Sequence, residues 1–175
     1  MRRTTATTDY LKESMGTALL KLMRDKPLEK ISIEEMTAKA DVGRSTYFRY
    51  FHSKDEVLSF KILCLWRRFC AQRGSDGISR VNPEGIRALF EFCLSIRPIF
   101  DLLYASGHQD VILDFYLQSA APVIAQADAK TYYLIQFITF GLFGLMNAWV
   151  LRGYNESPEE MAQIVCAWKA ASEEA

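Results

Sequence analysis

The sequence predicts an all-α protein of about nine helices. Apolar residues recur three or four positions apart along almost the whole chain, and no stretch alternates apolar and polar residues as a strand would. Three S-x-x-E sequences, beginning at Ser32, Ser53 and Ser157, have the form of a capping box and so predict three helix starts. Prolines and glycines divide the rest of the chain into segments of helix length.

The first predicted helix covers residues 8–26 and stops before Pro27, because proline disfavours helix in the residue that precedes it. Two short helices follow, and a longer one starts at Lys54 and breaks at the glycine-containing residues 74–77, predicted as a C-cap and a linker. The remaining helices are predicted over residues 83–95, 98–105, 109–126, 129–152 and 158–172.

Charge is distributed unevenly along the 175 residues, although the net charge is zero. Residues 1–73 hold 15 Lys and Arg against 9 Asp and Glu, whereas the remainder holds 6 against 12. A basic half and an acidic half indicate different roles, and the basic half suits an anionic partner. The N-terminus has no apolar leader, and the four cysteines form no CxxC pair, so we expect a cytoplasmic, reducing location without disulfides.

Residues 132–151 carry no formal charge and are numerous enough to cross a bilayer. Against a membrane span stand Gln136, Thr139 and Asn147 within the segment, and the small excess of Lys and Arg beside it. We therefore interpret this segment as a helix buried in a helical assembly, with no membrane partner.

Residues 31–58 predict helix, tight turn, helix, tight turn and helix, with Asp41 at the first turn, where a left-handed backbone is often required. The middle helix presents hydroxyl, guanidinium and aromatic groups of the kinds that contact phosphates and base edges in a major groove. Lys54 follows the Ser53 cap, at a helix N-terminus that favours an anion. The candidate DNA-binding residues are Ser32, Arg44, Ser45, Thr46, Tyr47, Arg49, Tyr50, His52 and Lys54.

This segment resembles the DNA-binding domain of TetR-family transcriptional regulators, whose motif runs roughly I-x-x-I-A-x-x-A-G-V-x-x-x-T-x-Y-x-Y-F-x-S-K-x-x-L. Matching positions are Ile33, Met36, Ala40, Val42, Thr46, Tyr50, Phe51, Ser53 and Lys54, and Leu58 lies one position after the motif's leucine. Thr37 replaces the motif's alanine, Asp41 its turn glycine, and Gly43 the serine or threonine that usually caps the recognition helix. Phe48 stands at its first tyrosine, which commonly contacts a phosphate in the family, and we expect Tyr47 to take that role. Phe48 and Phe51 are expected in the core.

The resemblance implies a helix-turn-helix DNA-binding domain over residues 1–53 and a helical regulatory and dimerisation domain over residues 54–175. It further implies a homodimeric repressor that binds a palindromic double-stranded operator and is released by a small effector, which we expect to be largely apolar. Candidate effector-binding residues are Trp66, Phe69, Tyr104, His108, Tyr116, Tyr133 and Phe137. Candidate dimer-interface residues on the last two helices are Phe140, Gly141, Gly144, Met161, Ile164, Val165 and Trp168.

Two other classes of protein are alternatives to a DNA-binding regulator. An enzyme is disfavoured because the chain has two histidines and lacks HExxH, GxSxG and glycine-rich phosphate-loop motifs, and the same lack of motifs predicts no metal or cofactor. A helical adaptor or sensor that has lost DNA binding, and acts through a ligand or protein partner, stays open as the alternative.

Overall fold

A computed structural model of the chain describes residues 2–74 and 82–173, and the side chains of residues 7–74 and 82–167. Within these ranges the fold is all-α, as predicted, and no strand is present. The described α-helices are nine: α1 (Arg2–Leu22), α2 (Ile33–Lys39), α3 (Arg44–Tyr50), α4 (Lys54–Gln72), α5 (Pro83–Ser95), α6 (Arg97–Ala105), α7 (Asp110–Ile124), α8 (Ala129–Leu151) and α9 (Pro158–Glu173).

The first helix differs most from its predicted bounds, since it begins at Arg2 and ends at Leu22, four residues earlier than expected. A turn and a short 3₁₀ helix, Leu28–Lys30, occupy the chain before α2. The physical reason is burial: this extra turn brings Leu28, which is 2% exposed, into the core. The other helices agree with the prediction to within a few residues, and residues 75–77 of the predicted linker lie outside the described part of the chain.

At all three predicted capping boxes the serine hydroxyl accepts the expected backbone hydrogen bond. At Ser157 the reciprocal bond also forms, from the Ser157 backbone N–H to the Glu160 carboxylate at 2.7 Å. At the Ser32 box the Glu35 carboxylate accepts from the Lys26 ammonium at 2.5 Å. That hydrogen bond is the main reason why the pKa of Glu35 is held below its ordinary value.

One compact unit comprises Met1–Leu65 and Pro98–Phe115, and in it α1, α2 and α3 pack against one another. Helices α1 and α4 approach closely at Gly16, where an added Cβ would lie 2.5 Å from the Cβ of Lys61. The Lys61 ammonium also pairs with the Glu13 carboxylate at 2.7 Å. The small residue at position 16 therefore determines how near these two helices come.

The other compact unit comprises Trp66–Arg97 and Tyr116–Ala175, and in it α9 packs against α5. Phe90 of α5 meets Trp149 of α8 edge to face, with ring centroids 5.0 Å apart. The Trp149 indole N–H donates to the Glu156 carbonyl at 2.9 Å, so its polar atom is satisfied although the side chain is buried.

Helix α8 contains the uncharged segment and is the one described helix long and apolar enough to cross a membrane. Only 28% of its most apolar window is buried within the chain. Tyr133, Phe137, Phe140 and Leu151 are exposed at positions that fall on one helical stripe. The single chain therefore leaves a long apolar face of α8 uncovered, and the burial of this helix in an assembly stays a prediction.

Candidate nucleic-acid interface

The turn between α2 and α3 has the hydrogen bonds of a Schellman motif. Asp41 adopts a left-handed backbone with φ of 55°, as its place in the sequence predicted. The Val42 N–H donates to the Thr37 carbonyl at 3.0 Å, and the Asp41 N–H donates to the Ala38 carbonyl at 3.2 Å. The Thr37 hydroxyl is buried but donates to the Ile33 carbonyl at 2.8 Å, so threonine is tolerated where the motif has alanine.

The rotation of α3 about its axis sends Tyr47 inward and Phe48 outward, which is the reverse of both expectations. Tyr47 is 4% exposed, and burial is the main cause that raises the pKa of its hydroxyl. Phe48 is 58% exposed. Phe51 is buried as predicted and meets Phe60 edge to face at 5.9 Å. The rings of Tyr47 and Phe51 lie side by side with centroids 6.3 Å apart, so Tyr47 shares the core position of Phe51.

The outward face of α3, a name used here for Arg44, Ser45, Phe48 and Arg49, is exposed throughout. Tyr50 and His52 are also exposed, and Thr46 is half-buried. These positions agree with the outward orientation expected of most candidate DNA-binding residues. Ser32 is exposed at the N-terminus of α2, where its hydroxyl caps the helix.

Arg44 is paired with a carboxylate of its own chain. Its guanidinium lies 2.7 Å from the Glu34 carboxylate of α2, and both side chains are more than half exposed. The same guanidinium lies 5.9 Å from the centroid of the Phe48 ring. Since an exposed ion pair contributes little stability, Arg44 can exchange Glu34 for another anion at small cost.

Lys54 is held by backbone groups that the sequence did not reveal. Its ammonium donates to the carbonyl oxygens of Leu28 and Ile31, the latter at 2.9 Å, and so caps the 3₁₀ helix. A lysine ammonium has three hydrogens, so one remains for an external acceptor. Lys54, which was predicted to contact a phosphate, therefore links the 3₁₀ helix to α4 within the chain.

A cleft of about 510 Å³ lies in the unit that contains α3, beside the start of α4. His108, in the turn after α6, lines it and was predicted to bind an effector. Its Nε2 lies 3.0 Å from the Glu29 carboxylate and its Nδ1 lies 3.1 Å from the Asp55 carboxylate. His108 thus joins the turn after α6 to the 3₁₀ helix and to the first turn of α4.

The other candidate effector residues lie in different surroundings, and His108 is the one of the seven that lines this cleft. Trp66 and Phe69 stack on each other with centroids 5.8 Å apart, and both meet Phe92 edge to face. Tyr133 and Phe137 are exposed on α8. Tyr116 is buried in the same unit as Trp66, and Tyr104 is half-buried in the unit of His108. The effector site stays a prediction.

The candidate dimer residues divide into an exposed group and a buried group. Phe140, Gly141, Gly144 and Ile164 are exposed, and a Cβ added at either glycine would meet no atom within 4 Å. Met161 and Val165 are instead 5% and 6% exposed, buried within their own chain. Their predicted place in a dimer interface is corrected on this ground, because the side chains already pack inside the monomer. The side chain of Trp168 lies outside the described residues.

Among the described residues, no group of three His, Cys, Asp or Glu side chains is positioned to hold a metal ion. The interface residues that sequence reasoning missed are Glu34, the partner of Arg44, and Phe48 as an outward-facing ring. Helical spacing could not have indicated Phe48, because positions 44, 47, 48 and 51 are separated by three and four residues and so share one side of a regular helix. No local signal marks Glu34 among the neighbouring acidic residues.

Comparison with known families found one match. Residues 83–167, covering α5 through most of α9, match the TetR_C_8 family model, described as a transcriptional regulator C-terminal region. The comparison with curated proteins found no match. The family match therefore covers the part of the chain that follows the helix-turn-helix segment.

Proposed function

Because the chain belongs to the TetR family of transcriptional regulators, we propose that it binds double-stranded operator DNA through the outward face of α3. The observation that carries this proposal is that face itself: Arg44, Ser45 and Arg49 are exposed on one short helix whose opposite side is anchored in a core. Such groups contact phosphates and base edges when a helix enters the major groove. Residues 1–53 form the DNA-binding domain in this proposal, and residues 54–175 the regulatory one.

Charge supports the same proposal. The excess of six positive charges in residues 1–73 favours binding to phosphates over a long range, although the whole chain is neutral. Arg44 gives up Glu34 when DNA arrives, so DNA binding replaces one ion pair with another. The third hydrogen of the Lys54 ammonium and the exposed His52 are available for the phosphate backbone.

The functional unit in this proposal is a homodimer joined through α8 and the exposed side of α9. Six large apolar side chains support it, because they are exposed in the single chain: Tyr133, Leu134, Phe137, Phe140, Leu151 and Ile164. At roughly 100 to 150 Å² each, they amount to one partner's share of a standard interface, about 800 Å². A second copy would also cover the uncharged face of α8, so that no membrane is needed.

A two-fold symmetric dimer presents two copies of α3, and successive major grooves on one side of DNA are about 34–36 Å apart. The operator is therefore palindromic, and a change in the dimer that alters this separation alters DNA affinity. We further propose that the protein acts in the cytoplasm as a repressor and that a small, largely apolar effector releases it. The effector acts by binding more tightly to the dimer geometry that does not fit DNA.

A DNA titration tests the proposal. The full chain is titrated against random-sequence duplexes and duplexes from upstream of its own gene, at several salt concentrations. We expect a sequence preference and an affinity that falls steeply with salt, as phosphate contacts require. Arg44→Ala should weaken binding by about tenfold or more, as the loss of one bidentate contact does.

Arg152→Ala is the matched control, since Arg152 is 64% exposed in its side chain and pairs with Glu156 at 2.7 Å, much as Arg44 pairs with Glu34. This variant should bind DNA like the wild type. Equal losses in both variants would indicate a nonspecific charge effect. Failure of every duplex to bind, even at low salt, would contradict the proposal and favour an adaptor that has lost DNA binding.

A further inference from the structure

We infer that Phe48 reads the C5-methyl group of a thymine in each operator half-site. The inference rests on the proposed function and deepens it, since it assigns a base to one residue of the outward face of α3. The ring of Phe48 is 58% exposed although phenylalanine is among the residues most often buried. An exposed ring among charged and hydroxyl side chains is accessible to an apolar group outside the chain.

The ring is also held in a defined position. Its neighbour Tyr47 is buried, and the two rings meet edge to face with centroids 5.2 Å apart. The Arg44 guanidinium lies 5.9 Å from the Phe48 centroid on the same side of the helix. A ring supported on one edge and flanked by a cation keeps its orientation, so that it can distinguish surfaces by shape.

The chemistry of the ring restricts what it can contact on DNA. Phenylalanine has no hydrogen-bond donor or acceptor, so it cannot bond to a phosphate oxygen or to a polar base edge. The thymine C5-methyl is the apolar group that bases present in the major groove. The motif that this chain resembles has tyrosine at position 48, and its hydroxyl can form a hydrogen bond with a phosphate. Phe48 therefore offers an apolar contact in place of that hydrogen bond.

A protein partner fits this site less well. Any apolar protein surface covering Phe48 would also bury Arg44, Ser45 and Arg49, at a large cost in desolvation. A DNA groove offers phosphates and polar base edges to those neighbours together with the methyl group. Arg44 and Phe48 are four residues apart, about 6 Å along the helix axis. We therefore expect a guanine contacted by Arg44 to lie within about two base pairs of the thymine, given a step of about 3.4 Å.

The experiment begins with selection of bound duplexes from a random pool by the full wild-type chain. Each thymine of the selected site is then replaced by uracil, which pairs identically but lacks the C5-methyl, and affinity is measured by fluorescence anisotropy. We expect one thymine per half-site whose replacement weakens wild-type binding about fourfold, the value of one buried methyl group, or about 15-fold when both half-sites are replaced.

Phe48→Ala should bind the thymine duplex more weakly and should not respond to uracil at that position. Tyr50→Ala, which removes another exposed ring at the end of α3, should keep the full uracil response whatever its own affinity. A wild type that binds the selected site but tolerates uracil at every thymine overturns this inference and leaves the proposed function intact. If Phe48→Ala responds to uracil as strongly as the wild type, this inference is also overturned and the proposed function is left intact. Absence of any selected duplex overturns both.

Discussion

Phe137 on α8 and Phe48 on α3 are the same residue type with nearly the same exposed fraction, 59% and 58%, yet they are proposed to serve different partners. Truncation of Phe137 to alanine should weaken the dimer, because the ring lies in the apolar stripe of α8. Truncation of Phe48 should leave the dimer unchanged, because the proposed partner of its ring is DNA. The pair therefore separates two proposed surfaces with identical chemistry.

The expected magnitude follows from the exposed area. A phenylalanine offers about 200 Å² when fully exposed, so Phe137→Ala removes roughly 100 Å² of apolar surface from each side of the interface. At about 25 cal/mol per Å² this is about 2.5 kcal/mol per ring. A two-fold interface contains the substitution twice, about 5 kcal/mol in all, so the dissociation constant of the dimer should rise by at most roughly three to four orders of magnitude.

Sedimentation equilibrium over a range of concentrations measures the dimer constant, and circular dichroism verifies that each variant keeps its helical content. Phe137→Ala should also lose DNA affinity, because a monomer contacts a single half-site, whereas Phe48→Ala should lose DNA affinity as a dimer. A Phe137→Ala protein that stays dimeric at the lowest concentration would refute the α8 interface. Dissociation of Phe48→Ala would refute the separation of the two surfaces.

The other predictions concern stability and the free state of the interface. Gly16→Ala should lower the free energy of unfolding in urea by about 1–3 kcal/mol, because the new Cβ would lie 2.5 Å from a Cβ atom on α4, and an unchanged midpoint would contradict this close approach. Glu34→Gln should tighten DNA binding several-fold, because Arg44 no longer exchanges an internal carboxylate for DNA, and weaker binding would show that Glu34 instead orients Arg44. Glu35→Gln should lower the melting temperature by at most a few degrees at pH 7. The hydrogen bond from Lys26 lowers the pKa of Glu35 below its ordinary 4.5. The stabilisation by this ion pair is therefore present above pH 4.5 and is lost as pH falls through the folded-state pKa. The melting temperatures of the wild type and the variant should accordingly converge in acid. A difference that persists below that pH would exclude the ion pair as its cause.

Most of the secondary structure could be predicted because its signals are local. A serine three residues before a glutamate, a proline at the first turn of a helix and an aspartate at a left-handed turn each act over a few residues, and the helices that they predicted are present. The 3₁₀ helix Leu28–Lys30 was missed because its stability depends on Lys54, which is distant in sequence and donates to its carbonyl groups. Gly16 was passed over for the same reason, since its neighbour on α4 is known only from the packing.

The sequence by itself determined the all-α class, the order of the helices, the helix-turn-helix segment and the resemblance to one family, because periodicity, caps and motif spacing are properties of neighbouring residues. The tertiary structure decided which side of each helix faces inward. Tyr47 and Phe48 are adjacent aromatic residues, and only the packing of Phe51 on Phe60 sets the rotation that buries one and exposes the other. Likewise, Met161 and Ile164 are equally apolar, and the packing of α9 on α5 leaves the first inside the chain and the second exposed. A pattern of apolar residues indicates how much surface must be buried. Contacts between segments that are distant in sequence determine which residues cover that surface.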